Sequence, residues 1–361
     1  MPFPFNPDQY EAQLTDKVEH LKAIFEGIAL PRPEVFRSQP RHYRMRAEFK
    51  FWHEGDESWY AMFDPADPKV PVRVDQFPVA SELLNRLMTE VREAVHIDPA
   101  LRERLFQVEF ITTQQGDALI TLIYHKTLNE DWETRGRYWQ EQWGFPVIGR
   151  ARKQRLVLSR DYVNETLRIN GSDYVFRQYE NSFTQPNAGV CEQMVGWAQQ
   201  QTSNGGGDLL ELYCGNGNFS IPLAGNFNRA LGTEISRVSV QSAQHNITVN
   251  NIDNLTIARM SSEDFANAWL GRTESRRLRE WAVSDYDFKT LLVDPPRAGL
   301  DEDTLALARH FDRIVYVSCN PQSLADNVRA LGNDYRIETS AVFDQFPYTH
   351  HMEAGVVLVK V

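Results

Sequence analysis

The chain has 361 residues, a formal net charge of −11, 42% hydrophobic and 24% charged side chains, an ordinary soluble globular composition whose length suits two domains. No uninterrupted apolar run approaches the ~18 residues of a membrane span. The opening MPFPFNPDQYEAQL lacks the basic and apolar regions of a secretory leader, so a cytoplasmic setting is expected. Three cysteines, Cys191, Cys214 and Cys319, form no C-x-x-C pair, which argues against a disulfide framework or a zinc ribbon.

In chain order, residues 9–27 read as an amphipathic helix, with Leu14, Val18, Leu21, Ile24 and Phe25 at helical spacing. Residues 43–52, 105–111, 118–125 and 155–158 read as strands and 79–95 as a helix, giving a mixed α+β region over 40–178. After about residue 180, strands and helices alternate. Strands are expected at 209–214, 230–235, 256–260, 290–295 and 313–319, and the closing AGVVLVKV is a further strand. Helices are expected from 218 and at 236–250, 301–310 and 321–331. This alternation predicts βαβ units and a mostly parallel, Rossmann-like sheet. The expected division is 1–180, an α+β domain, and 181–361, an α/β domain. The run 272–281 reads as a charged surface insertion.

The net charge argues against nucleic-acid binding only if read globally. Residues 32–50 carry six Lys/Arg against two Glu, and residues 135–155 carry six against one. Charges beyond about 10 Å are screened, so a local patch governs phosphate affinity. Solvated strand and loop faces would give the same pattern.

The segment 209–220 reads strand, then C-G-N-G-N, then helix. Gly215 and Gly217 allow a sharp turn and close approach to a ligand. The third glycine of a dinucleotide fingerprint would fall at Ser220, which weakens a nicotinamide reading. Glu234 ends the next strand, where a carboxylate can accept both ribose hydroxyls of a nucleoside. The acids of Ser262-Glu263-Asp264-Phe265 could meet an adenine amino group, or equally be first-turn acids behind an N-cap.

Asp294-Pro295-Pro296-Arg297 and Ser318-Cys319-Asn320-Pro321 lie at the ends of the next two strands, where open α/β sheets bind ligands. The two prolines stiffen the turn after Asp294. A cysteine at a strand exit faces the crevice, whereas the common fate of a free cysteine is burial. A thiolate there suits addition to carbon 6 of uracil. The addition makes carbon 5 nucleophilic enough to accept a methyl group, after which a base removes the carbon 5 proton and the thiolate leaves. Glu353, just before the last strand, is the candidate base. His350 and His351 are rivals as base, but adjacent histidines are expected to point apart and no third metal ligand is evident.

Together the segments EVFRS, HYRMRAEF, ENSFTQPN, DLLELYCGNGNFS, TEIS, VDPPR, SCNP and FDQFPYTHHME resemble the RNA 5-methyluridine methyltransferase family, in order along nearly the whole chain. The resemblance implies a class I S-adenosylmethionine-dependent methyltransferase with an N-terminal α+β RNA-binding domain, no metal, and some chain exchange at the domain boundary. It implies Cys319 as nucleophile, Glu353 as base, and Gln185, Tyr213, Gly215, Asn218, Glu234 and Asp294 around S-adenosylmethionine. No cysteine precedes residue 191 and the chain begins with a helix, which favours the tRNA branch over the cluster-bearing ribosomal RNA branch. The absence of a cysteine from DPPRAG argues against cytosine-5 chemistry. A T-loop uridine must leave its stack, and aromatic and cationic side chains must replace the stacking it loses. Phe106, His125 and Lys50 are the candidates for that, with Arg44 and Arg46 for phosphates. Phe106 and Arg46 would equally serve as core packing and a surface ion pair. The expected partner is the T-arm of tRNA or another RNA with a T-like loop, engaged by a monomer away from any membrane.

Overall fold

A computed structural model describes residues 5–64 and 67–361; the first four residues of the leader reading lie outside them. The chain forms two compact units, one of residues 1–8, 39–166 and 178–188, the other of 9–38, 167–177 and 189–361. The chain crosses between them along the hairpin of strands Tyr162–Ile169 and Ser172–Tyr179.

The first unit is built on a seven-stranded sheet in the order Asp67–Val74, Glu57–Asp64, Arg46–Glu54, Leu105–Thr112, Ala118–Tyr124, Val147–Ala151, Gln154–Val157. Every pairing is antiparallel except Ala118–Tyr124 with Val147–Ala151. Helix Glu82–Ile97 starts where Ser81 accepts a hydrogen bond from the Leu84 amide, and buries Leu84, Leu87, Met88, Val91 and Val95 at i, i+3, i+4 spacing. Helix Glu130–Trp143 is capped by Asn129 and ends at left-handed Gly144. Its Trp132 is wholly buried and lies against Gly149, where an added Cβ would stand 2.2 Å from the indole, so only glycine fits.

The second unit holds an eight-stranded sheet in the order Glu34–Phe36, Tyr335–Phe343, Glu353–Lys360, Arg313–Ser318, Phe288–Val293, Asp208–Leu212, Ala230–Glu234, Leu255–Arg259. Only Glu353–Lys360 runs antiparallel to its neighbours. The chain steps from Asp208–Leu212 outward to Leu255–Arg259, then returns to the other side at Phe288–Val293, so the glycine loop leaves the first strand at the switch of direction. This is the fold of class I S-adenosylmethionine-dependent methyltransferases.

The two compact units interleave along the chain, where a single division at residue 180 was expected. Helix Tyr10–Ile24 and strand Glu34–Phe36 belong to the second unit. The strand pairs in parallel with Tyr335–Phe343, and Lys17 on the helix donates to Asp344 at 2.7 Å. Both links join residues about three hundred positions apart, which no local pattern reveals. The helix expected from 218 is a single turn, Ser220–Leu223. Within the insertion at 272–281 lies a short helix, Arg276–Glu280.

Candidate active site

The carboxyl ends of the central strands in the second unit gather the chemistry-bearing residues. Strand Arg313–Ser318 pairs with Glu353–Lys360, with Ser318 opposite Ala354. One step further the same register sets Cys319 beside Glu353. Asp294 follows Phe288–Val293, the next strand over. The sheet thereby joins a thiol and two carboxyls far apart in sequence.

Cys319 is partly exposed, while Cys191 and Cys214 are buried. Burial first, and then the charges of Glu353 and Asp294, push the Cys319 thiol up; Arg297 beside it opposes them. Burial and the Asp294 charge hold Glu353 well above the usual carboxylate range, and Arg297 again opposes. Its Oε2 is buried with no hydrogen-bond partner among the described residues. Enclosure raises Asp294 as well. A carboxyl so placed has a high affinity for a proton, the property a base needs once the site closes over substrate.

Arg297 was missed by the sequence reading, though it stands in the quoted DPPR motif. Its backbone carbonyl accepts from Asn320 Nδ2 at 2.8 Å, and its Nη2 lies 3.4 Å from His351 Nδ1. The structure also corrects the expectation that His350 and His351 point apart: their ring centroids are 4.0 Å apart. The pair sits in an irregular turn after left-handed Tyr348, outside the extended strand where alternation would separate them. Among the described residues no group of three or more His, Cys, Asp or Glu could hold a metal ion.

On the cofactor side, Tyr213, Gly215 and Gly217 all have positive φ, at 63°, 56° and 83°. The space where a Gly215 Cβ would stand is empty to 4 Å. Glu234 accepts from the Gly215 amide at 3.0 Å and the Ser236 amide at 2.6 Å, which fixes both oxygens and leaves each a lone pair for a hydroxyl. The Asn218 amide lies 3.4 Å from Cys191 Sγ. Burial pushes the Tyr213 hydroxyl up, and the neighbouring Ser262 and Thr304 oppose that rise. Ser220 donates to buried Glu211, so the position of the absent third glycine braces the loop from below. These donors and acceptors fit a nucleoside bearing an amino acid. The acids at 263 and 264 are first-turn residues behind the N-cap Ser261. Gln185 belongs to the first unit, and its Oε1 is buried without a hydrogen-bond partner among the described residues.

In the first unit, Phe106 and His125 stack at 3.9 Å, and Lys50 Nζ lies 4.0 Å over the Phe106 ring. Arg44 is held by a bond from Nε to the Arg46 carbonyl at 2.7 Å. Arg46 donates to the carbonyls of Ser182 and Glu180, at 2.6 and 2.9 Å, and so pins the 180–182 segment.

The profile of the tRNA (Uracil-5-)-methyltransferase family matches residues 9–361. The chain belongs to that family. A tRNA/tmRNA (uracil-C(5))-methyltransferase of Colwellia psychrerythraea is 51% identical over 359 residues, covering 98% of both chains. A protein of the same description from Cellvibrio japonicus is 52% identical over 351 residues, covering 97% of this chain and 96% of its own. In fold the chain resembles the Pyrococcus abyssi tRNA (uracil-54, C5)-methyltransferase solved with S-adenosyl-L-homocysteine. The TM-score is 0.74 at 22% identity, over 97% of this chain and 83% of that one. The chain is thus an enzyme of the family, an S-adenosylmethionine-dependent methyltransferase that modifies tRNA. No helix among the described residues is long and apolar enough to cross a membrane.

Proposed function

We propose that the enzyme methylates carbon 5 of the T-loop uridine of tRNA, with Cys319 as nucleophile and Glu353 as base. The observation that carries the reading is the register that sets Cys319 beside Glu353, with Arg297 acting on both. After losing its proton, the Cys319 sulfur adds to carbon 6 of the uracil, and the electron pair released from the 5,6 double bond makes carbon 5 nucleophilic. Bound S-adenosylmethionine supplies the methyl group. Gly215, Asn218, Tyr213, Glu234 and Asp294 would hold it. Glu353, as the carboxylate, then takes the carbon 5 proton, the double bond re-forms, and the Cys319 thiolate is expelled. Arg297 favours the anionic sulfur that the first and last steps require.

The first unit serves as the RNA-binding part. The stacked Phe106 and His125, with Lys50 over the ring, offer a platform for bases that leave their stack. Arg44 and Arg46 are the weaker phosphate candidates, given their backbone commitments. Relatives are described as acting on tmRNA as well as tRNA, so other RNAs with a T-like loop are a second substrate class. The enzyme would work as a cytoplasmic monomer without metal. Incubation with methyl-labelled S-adenosylmethionine and an unmodified tRNA transcript, followed by mapping of the label, tests the reading. Label on carbon 5 of the T-loop uridine is expected; label elsewhere, or none, refutes it.

A further inference from the structure

We propose that the hairpin tip Arg152–Lys153 docks a backbone phosphate of the RNA strand whose bases meet the Lys50–Phe106–His125 platform. The inference rests on the reading above that this unit binds RNA.

Three strands bring the elements together. Leu105 pairs with Tyr124 in the antiparallel strand, the register shifts before Gln107, and the rings of Phe106 and His125 stack with centroids 3.9 Å apart. Ile123 pairs with Arg150 in the parallel strand beyond, and the same offset carries His125 next to Arg152. Neighbouring strands lie about 4.8 Å apart, so platform and hairpin tip are adjacent positions at one end of the sheet. They line a single cavity of about 860 Å³, whose walls include Phe106, His125, Lys126, Arg150, Arg152 and Lys153.

The cations of this cavity are not equivalent. Lys126 pairs with Glu103 at 2.9 Å. Arg150 and Arg155 share the buried carboxylate of Glu180, at 2.8 and 2.9 Å. Arg152 and Lys153 are exposed and form no ion pair among the described residues. In a chain of net charge −11 the long-range field opposes RNA. Docking therefore depends on uncompensated cations within a screening length of the backbone, about 10 Å. Lys153 also occupies the left-handed region, with φ 62°. Glycine or asparagine would take that place in a two-residue hairpin loop at lower cost. The lysine that stands there lines the cavity.

The test is the salt dependence of binding. Affinity for an RNA hairpin bearing the target loop is measured between about 50 and 200 mM salt. The proteins are wild type, the double variant Arg152→Gln with Lys153→Asn, and the conservative Arg152→Lys. Asparagine tolerates the left-handed backbone, so the tip keeps its shape. Losing that phosphate contact lowers the slope of log affinity against log salt by about 0.7 to 0.9. KM for RNA rises and kcat at saturating RNA stays at the wild-type value. Arg152→Lys keeps the wild-type slope. A double variant that melts like wild type and keeps its full slope overturns the proposal, even where methylation proceeds normally. A wild-type protein that binds no RNA hairpin overturns the proposal together with the reading beneath it.

Discussion

Replacing Glu353 by glutamine separates methyl transfer from release. The residue is 3% exposed, and its unpartnered Oε2 lies in a buried setting that favours the neutral carboxyl. Glutamine matches the carboxyl in size and polarity, so stability should change by less than about 1.5 kcal/mol. Catalysis should change far more. A positioned base contributes roughly 10²- to 10⁴-fold, which at 1.36 kcal/mol per decade is about 3 to 5 kcal/mol on the barrier. The lost step lies after methyl transfer. Glu353→Gln should therefore accumulate methyl-labelled RNA bonded to Cys319 with ordinary uridine as substrate. Single-turnover reactions quenched in denaturant and run on a gel would show label migrating with protein. Turnover within tenfold of wild type, or a slow variant in which no labelled adduct builds up, would refute the assignment of the base.

Three further outcomes follow from the same geometry. Arg297 opposes the burial that raises the Cys319 thiol, so in Arg297→Gln the thiol should titrate at higher pH. Adduct formation should be slow at neutral pH and recover as pH rises; a uniform loss at every pH would contradict this. Lys17 is 5% exposed and bonds to fully buried Asp344 at 2.7 Å and the Phe346 carbonyl at 2.9 Å. Lys17→Met should cost roughly 3–5 kcal/mol by stranding the carboxylate, and adding Asp344→Asn should recover part of it in denaturant unfolding; two additive losses would contradict the pairing. Burial pushes Glu211 up to about 8, against roughly 4.3 when unfolded. The folded protein holds that proton more tightly, so this contribution is full below about pH 4 and lost as pH rises through about 8. Glu211→Gln should flatten the decline of melting temperature across that window, and an unchanged pH slope would count against it.

The parts of the site legible in the sequence are those carried by strand ends. Cys319 follows a strand that a run of β-branched residues announces, and parallel-sheet logic puts such exits on one side; Glu353 begins the last strand and reaches that side because this strand runs antiparallel. The glycine loop and Glu234 were legible for the same reason. Arg297 escaped because its effect depends on Phe288–Val293 lying beside Arg313–Ser318, a tertiary fact. Helix Tyr10–Ile24 read correctly as a helix, yet its place beside Asp344 could not be read from its own periodicity. Strand Tyr335–Phe343, which holds the last strand in register, alternates too weakly to be noticed and is fixed by pairing on both edges. The cations of residues 135–155 read as one patch. The structure divides them into those paired with Asp98, Glu133 and Glu180 and those at the hairpin tip.

In the proposed reaction Cys319 bonds to carbon 6 of the target uridine. Fluorine at carbon 5 cannot be removed as a proton, so 5-fluorouridine RNA should trap wild type as a denaturant-stable adduct that mass spectrometry maps to the peptide containing Cys319. Cys319→Ala should form none while retaining the fold. An adduct on Cys191 or Cys214, or one that persists in Cys319→Ala, would contradict the account.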